Sequence, residues 1–377
     1  MALLNNHKPV QLQLSRNLIK TIKRGHRWVY ADALRHLPNA PAGTPAILLD
    51  TRGGREIARG YYDTHGAITF RVCSNQKNMP LNDVWVMKQM ERAIALRQTL
   101  FNQKTNSYRL FNGEGDGLPG LVCDIYADTA VFNLDGNAAH GFWKIEEIGK
   151  WTAEKLSLRC VLIKDKKQVT AIVGTLPVNP IEFLENDYPF SADVKKGQKT
   201  GFFIDQRDNR QRLERYSNGK TVINMFGYTG GFSVYAGRGG ASKVITLDSA
   251  APALQMADAH WQNNNLPINT HETIKADAFD YLIQASKQGK KWDVVILDPP
   301  SFAPNEKSVP QAMAAYTKLI AGGAAIISSG GILAASSCSS HINSYDFLKL
   351  CEEGLSKARK NGDILGIYGQ PADHPAP

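Results

Sequence analysis

The first 75 residues alternate short apolar runs with turns rich in Gly and Pro. The runs Val10–Leu14, Ala46–Leu49 and Ala67–Val72 each hold four to six residues. Short runs bounded by turn residues are typical of the strands of small β-barrels. We therefore predict a small β-barrel over residues 1–75.

Residues 76–190 combine one helical pattern with several strand patterns. Apolar side chains recur at helical spacing between Asp83 and Asn102, which predicts one long helix. The runs Leu121–Ile125 and Thr129–Leu134 predict a hairpin, followed by a helix at about 140–156 and more strands up to about 190. The pattern indicates a small α+β middle domain.

Over residues 191–377 strand and helix patterns alternate regularly. The predicted strands are Thr221–Phe226, Lys243–Asp248, Glu272–Ala276, Asp293–Asp298, Ile332–Cys338 and Asp363–Tyr368. The predicted helices are Asp205–Tyr216, Phe232–Arg238, Pro252–Asn264, Ala278–Gln288, Gln311–Ile320 and Ser344–Arg359. Such alternation favours a parallel sheet covered on both faces, an α/β doubly wound, Rossmann-like domain.

One stretch, Leu319–Tyr345, contains no Asp, Glu, Lys or Arg. Glycine pairs and a run of serines interrupt it, so it is too weakly apolar to span a bilayer. We predict a helix end, a turn and a buried strand there, and we expect no contact with a membrane.

Ligands of open parallel sheets bind beyond the carboxyl ends of the strands. After the first strand comes a glycine-rich turn, where the backbone can pass close to a ligand. Asp248 ends the second strand, where a carboxylate can accept hydrogen bonds from a ribose diol, although Asp is also a common helix cap. Asp277, after the third strand, is equally consistent with an adenine contact or a helix cap. The turn contributes Phe226, Tyr228, Thr229, Gly230 and Gly231.

The fourth and fifth strands end in residues with more reactive chemistry. Asp298 is followed by Pro299 and Pro300, which have no backbone donors and fix an extended loop. Cys338 ends the fifth strand and is expected to face the same cleft as Asp298. A free cysteine is also often a small buried residue, so its position leaves a nucleophile and a core role both open.

Charge is concentrated in the first domain. Residues 1–75 hold 11 Lys and Arg but four Asp and Glu, and so carry +7 of the net charge of +9. A basic head on a nearly neutral body indicates a module that binds a polyanion, although a basic surface without a partner has the same composition. The five cysteines are scattered, without C-x-x-C pairs, which argues against disulfides or a zinc site and favours the cytosol.

Several motifs together resemble one family. They are Arg24–Tyr30 (RGHRWVY), Gly113–Gly120 (GEGDGLPG), Gly197–Arg210 (GQKTGFFIDQRDNR), the Phe-Gly-Tyr-Thr-Gly-Gly turn, Asp298-Pro-Pro and Ser-Cys338-Ser, in the family's order. The chain resembles, over nearly its whole length, the S-adenosylmethionine-dependent cytosine-carbon-5 methyltransferases of large-subunit ribosomal RNA that carry an N-terminal PUA domain. It departs from the family pattern at Arg27, where Pro is usual, and at Asn224, where many methyltransferases have Asp.

The resemblance implies an S-adenosylmethionine site and an RNA-binding domain. Cys338 becomes the expected nucleophile and Asp298 the expected contact to the target base. The resemblance also implies that Phe203 and Gln206 help to wall the cofactor site, together with Pro299 and the strand-end residues named above. The PUA-like domain is expected to contact RNA through Arg24, His26, Arg27 and Trp28.

Two other functions compete with this one. Methyltransferases that act on exocyclic amino groups use Asp/Asn-Pro-Pro-aromatic without a cysteine; here Ser301 separates Pro300 from Phe302. A non-catalytic RNA-binding factor for ribosome assembly is the third possibility, against which intact Asp248, Asp298 and Cys338 argue. The sequence leaves open the target nucleotide, the choice between free rRNA and an assembled subunit, and whether the protein is a monomer or a homodimer.

Overall fold

The chain divides into two compact units. The first comprises Met1–Asp205 and Gln370–Pro377, and the second comprises Gln206–Gly369. This computed structural model describes residues 2–5, 7–166 and 168–377. The strands of the first unit are β1 (Val10–Gln13), β2 (Trp28–Tyr30), β3 (Pro45–Leu49), β4 (Glu56–Tyr62), β5 (Ile68–Ser74), β6 (Ser107–Asn112), β7 (Leu121–Tyr126), β8 (Thr129–Leu134), β9 (Cys160–Asp165), β10 (Gln168–Val173), β11 (Ile181–Glu185) and β12 (Tyr188–Ala192). Its helices are α1 (Ile19–Lys23), α2 (Asp83–Leu100), α3 (Asn137–Phe142) and α4 (Ile145–Leu156).

The first sheet contains the basic N-terminal segment. Its strand order is β1-β3-β4-β5-β2, with β1 parallel to β3 and the other neighbours antiparallel. Alternating side chains point into one apolar core, whose fully buried members include Leu12, Val29, Leu48 and Phe70. The all-strand character predicted for residues 1–75 is confirmed, apart from the short helix α1.

The second sheet has the order β10-β9-β8-β7-β6. The predicted hairpin is confirmed as β7 and β8, and the predicted long helix as α2, which begins with the side-chain cap Asn82. The helix predicted at about 140–156 is interrupted at Trp143, which leaves the helical conformation, so it forms α3 and α4. An α+β arrangement follows the N-terminal sheet, as predicted.

The C-terminal residues return to this second sheet. The buried guanidinium of Arg97 donates to the carbonyl of Asp373 at 2.7 Å, and the Asn112 amide donates to the carbonyl of Pro375 at 3.0 Å. A Cβ on Gly115 would lie 1.7 Å from the Pro375 carbonyl oxygen, so only glycine allows this approach. These contacts explain why residues 370–377 belong to the first unit.

The second unit is a parallel sheet with helices on both faces. Its strands are β13 (Thr221–Met225), β14 (Lys243–Asp248), β15 (His271–Lys275), β16 (Trp292–Leu297) and β17 (Ile327–Ala335), in the order β15-β14-β13-β16-β17. Its helices are α5 (Arg207–Glu214), α6 (Gly231–Arg238), α7 (Ala251–Asn263), α8 (Ala278–Lys287), α9 (Val309–Ala325) and α10 (Ser344–Lys357). Ile223 and Val295 face one apolar cluster, whereas Val222 and Val294 face another on the opposite side. The predicted doubly wound fold is confirmed.

The predicted strand Asp363–Tyr368 is wrong. That segment has no regular structure, and Ile364, Leu365 and Ile367 are each more than 60% exposed. A strand requires a neighbour that accepts its backbone hydrogen bonds, and among the described residues the sheet ends at β17. The apolar pattern was sufficient for the prediction, but it carries no information about that neighbour.

The strand β17 is also not the buried strand predicted from the charge-free segment. It lies at the edge of the sheet, and all nine of its residues are partly or fully exposed. Its pairing with β16 skips residues 328–331, where Gly330 has a φ of +71°, so the strand bulges before it regains register at Ile332. Among the helices that the structure describes, none is both long and apolar enough to cross a membrane.

Candidate functional site

The carboxyl ends of the strands of the second unit meet at one edge of the sheet. The register pairs Met225 with Leu247 on one side and with Leu297 on the other, and Leu297 with Ala335. The residues that follow these positions therefore lie side by side, as the sequence predicted for the glycine-rich turn, Asp248, Asp298 and the segment that leads to Cys338.

The glycine-rich turn after β13 has a strained backbone. Phe226 and Tyr228 have φ values of +57° and +46°, and Gly230 has +76°. Only glycine adopts such values without cost, so the two aromatic residues each store on the order of 1–3 kcal/mol. Thr229 is buried, and α6 begins at Gly231. Non-glycine residues held in this conformation are typical of ligand-binding loops.

Asp248 holds this turn in place. One carboxylate oxygen accepts the backbone N–H of Tyr228 and the other accepts that of Ala250, both at 2.9 Å. Each oxygen keeps further acceptor capacity, since a carboxylate offers about four lone-pair positions. The half-buried carboxylate therefore suits a ribose diol while it fixes the turn. Asp277 caps α8 through the backbone N–H groups of Phe279 and Asp280, so the cap function that the sequence allowed is present.

Asp298 is half-buried and is held by a chain of side chains from α5 and the turn before it. Gln206 donates from its amide nitrogen to Asp298 Oδ1 at 2.9 Å. Asn209 donates to the amide oxygen of Gln206 at 2.7 Å, and Arg212 donates to Asn209 at 3.2 Å. Gln206 thus gives the carboxylate a neutral donor, which is a contact that the sequence did not predict. Pro299, the next residue, is buried.

Cys338 differs from the other four cysteines in exposure. Its side chain is exposed, and its Sγ lies 3.9 Å from the carbonyl oxygen of Pro299. Burial raises the thiol pKa of Cys73, Cys123 and Cys160, and raises that of Cys351 to about 11. Those four thiols are therefore poor sources of thiolate, whereas Cys338 is accessible at the strand end.

A buried polar network that the sequence analysis missed lies beneath the turn. Asn224 donates to Ser233 at 2.9 Å, Ser233 and Thr246 share a hydrogen bond of 2.6 Å, and Thr246 bonds to His271 Nε2 at 2.8 Å. Burial lowers the pKa of His271, an effect that Asp258 at 3.3 Å partly offsets. Its members come from three strands and a helix, and no local motif marks them.

The residues predicted to contact RNA lie in the first unit. Arg24 and His26 are exposed, whereas Arg27 is half-buried and donates to the carbonyl of Cys73 at 3.3 Å. The ring of Trp28 is 38% exposed. Phe203, predicted to wall the cofactor site, also lies in the first unit, where the ammonium of Lys199 sits 4.5 Å from its ring centre.

The loop Gly113–Gly120, one of the motifs that carried the resemblance, is a structural junction. Glu114 accepts the indole N–H of Trp28 at 2.8 Å and pairs with Arg71 at 2.6 Å. Asp116 pairs with both terminal nitrogens of Arg97, at 2.6 and 2.7 Å, and both side chains are buried. The loop thus joins the N-terminal sheet to the second sheet within one unit.

Comparison with protein families gives two matches. Residues 148–360 match the S-adenosylmethionine-dependent methyltransferase family, and residues 12–75 match the PUA-like domain. Together the two matches include the strand ends described above and the basic N-terminal sheet.

Individual proteins are similar over almost the whole chain. A ribosomal RNA large subunit methyltransferase of Deinococcus radiodurans is 36% identical, with 94% of this chain and 90% of that protein covered. A ribosomal RNA large subunit methyltransferase I of Photobacterium profundum is 33% identical, with 94% and 92% covered. A solved structure from Streptococcus mutans, assigned as an S-adenosylmethionine-dependent methyltransferase, has a TM-score of 0.86 at 25% identity, with 97% and 95% covered. Another solved methyltransferase structure with the same score and identity, covering 98% and 96%, is a complex with S-adenosylhomocysteine (SAH).

Proposed function

Because this chain belongs to the S-adenosylmethionine-dependent methyltransferases and carries a PUA-like domain, we propose that it methylates carbon 5 of a cytosine in large-subunit ribosomal RNA in the cytosol. The family, the PUA-like domain and the cofactor expected from the sequence are thereby confirmed. The target base and the role of Cys338 are the new part of the proposal.

One observation carries the choice of carbon 5. Cys338 is exposed beside the Asp298-Pro299-Pro300 loop, whereas burial raises the pKa of each of the other four thiols. Carbon 5 of cytosine is a weak nucleophile until a thiolate adds to carbon 6 and turns the ring into an enamine. A methyltransferase that acts on exocyclic amino groups needs no such thiol, and Cys338 would have no role in its reaction.

Methylation of carbon 5 through Cys338 would take place in successive steps. The Cys338 thiolate forms a bond to carbon 6, and the electron pair released toward carbon 5 makes that carbon the nucleophile. S-adenosylmethionine, when bound, supplies an electrophilic methyl group and leaves as SAH. A base or a water molecule then takes the proton from carbon 5, and the electron pair of that C–H bond restores the ring double bond and expels the cysteine thiolate. The attacking species is the thiolate, so a base or a water molecule must take the proton of the Cys338 thiol.

Asp298 is assigned to hold the base. Its carboxylate, which accepts a hydrogen bond from Gln206, is an acceptor of the kind that the exocyclic amine of cytosine requires. The strained turn and the Asp248 carboxylate suit the adenosyl group, and the exposed Arg24, His26 and Trp28 suit the RNA backbone and unstacked bases.

The decisive experiment tests Cys338. Large-subunit rRNA transcribed in vitro is incubated with tritiated S-adenosylmethionine, and the product nucleoside is identified by mass spectrometry. We expect 5-methylcytidine from the wild type and none from Cys338→Ala, whereas Cys351→Ala, the matched control in the same unit, stays active. Full activity of Cys338→Ala, or an N-methylated product, would contradict the carbon-5 mechanism and favour the amino-group reaction.

A covalent trap gives an independent readout. Transcripts made with 5-fluorocytidine triphosphate in place of CTP carry fluorine where the proton would leave. Methyl transfer then leaves no proton at carbon 5, so the bond between Cys338 and carbon 6 persists. We expect a protein–RNA adduct with the wild type that survives denaturation, and none with Cys338→Ala.

A further inference from the structure

The two serines that flank Cys338 are both tied to one buried tyrosine. Tyr316 lies on α9 and is 1% exposed. Ser337 donates its hydroxyl to the Tyr316 oxygen at 3.0 Å, and the Tyr316 hydroxyl and Ser339 share a hydrogen bond of 3.0 Å. The backbone N–H of Ser339 also donates to Ser337 at 3.3 Å. The turn that carries Cys338 is therefore closed on itself and anchored to a helix.

The same serine joins this turn to the loop after Asp298. Ser339 is buried, and its hydroxyl oxygen accepts the backbone N–H of Ala303 at 3.2 Å and shares a hydrogen bond of 3.2 Å with Ser301. We name the four hydroxyl groups of Tyr316, Ser337, Ser339 and Ser301 the hydroxyl cluster. Through it, the turn of the expected nucleophile and the loop of the expected base contact are held together.

The hydroxyl groups of the cluster find partners when they donate in sequence, each to the next. If Ser337 donates to Tyr316, Tyr316 donates to Ser339 and Ser339 donates to Ser301, each of these hydroxyl hydrogens is used, and Ser339 accepts from both Tyr316 and Ala303. Ser301 is exposed and can donate to solvent. A buried hydroxyl is costly without such partners, so the tyrosine specifies this arrangement of the two loops.

Packing alone does not require the tyrosine hydroxyl. The ring of Tyr316 packs on Phe302 and Phe347, with ring centres 4.8 and 5.4 Å away, contacts that phenylalanine would also make. The hydroxyl contacts the residues on either side of Cys338 instead. Attack on a carbon atom requires the sulfur within a few tenths of an ångström of its productive position, which a turn held only by its own backbone provides poorly.

We propose that Tyr316 is a positioning residue for Cys338, acting through Ser337 and Ser339 to hold the nucleophile turn against the Asp298-Pro299-Pro300 loop. This inference rests on the proposed function, because it gives Cys338 the role of nucleophile. It goes beyond that proposal by assigning a positioning role to the hydroxyl of a buried residue outside the strand ends.

The test is Tyr316→Phe in the full-length protein, with Tyr281→Phe as the matched control. Tyr281 is a partly buried tyrosine of the same unit whose ring contacts Trp292 rather than the catalytic loops. We expect Tyr316→Phe to lower kcat on rRNA about 10- to 100-fold while KM for rRNA and the affinity for S-adenosylmethionine stay within about twofold. The rate of adduct formation on 5-fluorocytidine rRNA should fall by the same factor, and Tyr281→Phe should match the wild type.

A second variant protects the test against a folding defect. Ser339→Ala removes the centre of the hydroxyl cluster without altering the aromatic packing, and it should show the same loss of kcat and of trapping rate. Unchanged kcat and trapping in both variants, with Cys338→Ala inactive, would overturn the role of Tyr316 and leave the proposed function standing. Activity in Cys338→Ala would overturn both. A loss that appears in cofactor affinity or thermal stability rather than in kcat would reduce Tyr316 to a structural residue.

Discussion

The loop Gly113–Gly120 and the turn around Cys338 both join buried elements, but different chemistry holds each of them. In the first, the charged pair of Arg97 and Asp116 is buried and closed by two hydrogen bonds. The two serines that flank Cys338 are instead held by neutral hydroxyl groups, in hydrogen bonds that join Ser337 and Ser339 to Tyr316.

The difference suits the roles that we propose for the two loops. A charge near an ionisable group shifts its pKa, so a further buried charge within the turn itself would add to the effect of Asp298 on the Cys338 thiol. Neutral hydroxyls fix a geometry with far less influence on ionisation. A loop that only joins two sheets has no such restriction, and there a fully paired charge provides a specific and rigid connection.

The largest expected effect comes from breaking the charged junction. Asp116→Asn leaves the buried guanidinium of Arg97 without its counter-charge, and an unpaired buried charge costs about 3–5 kcal/mol. We expect a loss of that size in the free energy of unfolding of the first unit, measured by urea denaturation. Glu91 lies on the same helix as Arg97, and Glu91→Gln, which breaks its exposed pair with Lys155, should cost ~1 kcal/mol or less. Equal losses in both variants would contradict the comparison.

The next largest effect is expected at Gln206, whose neutral side chain holds a residue of the site. Gln206→Leu removes the amide that donates to Asp298, and we expect kcat to fall about 10- to 100-fold, or about 1.4–2.7 kcal/mol, because the carboxylate loses its orientation. The family resemblance predicts a different role for Gln206, in the wall of the cofactor site. Calorimetry separates the two roles, because a wall residue weakens S-adenosylmethionine binding, whereas a positioning residue leaves it nearly unchanged. Asn209→Ala, one step farther away, should have a smaller effect on kcat.

A third prediction concerns the charges that the first unit leaves exposed. Lys20, Lys23 and Arg24 are exposed at α1. Replacing all three by Gln should reduce the slope of log affinity against log salt by about two, since each phosphate contact on single strands contributes about 0.7. Fluorescence anisotropy with an rRNA fragment measures the slope. The same change in net charge at the exposed Lys287, Lys290 and Lys357 of the second unit should leave it unaltered.

The smallest effect is expected in the neutral network under the glycine-rich turn. Because burial lowers the pKa of His271, the unfolded chain takes up a proton below about pH 6.5 that the folded chain does not. The contribution of His271 to the free energy of unfolding should therefore be fully present above that pH and be lost as the pH falls through the lowered pKa. His271→Gln should remove this part of the decline in thermal unfolding between pH 8 and 5. Thr246→Val leaves the imidazole buried, so this variant should keep the pH-dependent decline while its overall stability is lower.

The fold was largely predictable because most of it depends on local periodicity. Alternating strands and helices define a parallel sheet, and a parallel sheet places all its carboxyl ends at one edge, which led to Asp248 and Asp298. The prediction of a strand at Asp363–Tyr368 failed because it depended on more than local periodicity. Strand formation depends on a partner elsewhere in the chain, and apolar spacing does not report whether one is available.

The supporting residues of the site were less predictable than its strand-end residues. The serine run around Cys338 was visible in the sequence, but its partner Tyr316 lies 21 residues before Ser337 on a helix whose rotation the sequence does not define. Gln206 was noticed through a resemblance, yet its bond to Asp298 spans 92 residues. Side-chain networks of this kind depend on tertiary packing, so only the structure reveals them.

The positive φ angles of Phe226 and Tyr228 have a consequence for engineering the protein. Glycine at either position would relieve backbone strain, but it would also free the unfolded chain and remove an aromatic side chain, which at Phe226 packs on an apolar cluster of the sheet. The same replacements would loosen the segment that Asp248 holds through the Tyr228 N–H, where the adenosyl group is expected to bind. The strain therefore cannot be removed at these two residues without a loss of packing or of the ordered turn, and a thermostable variant that keeps its turnover must gain its stability elsewhere.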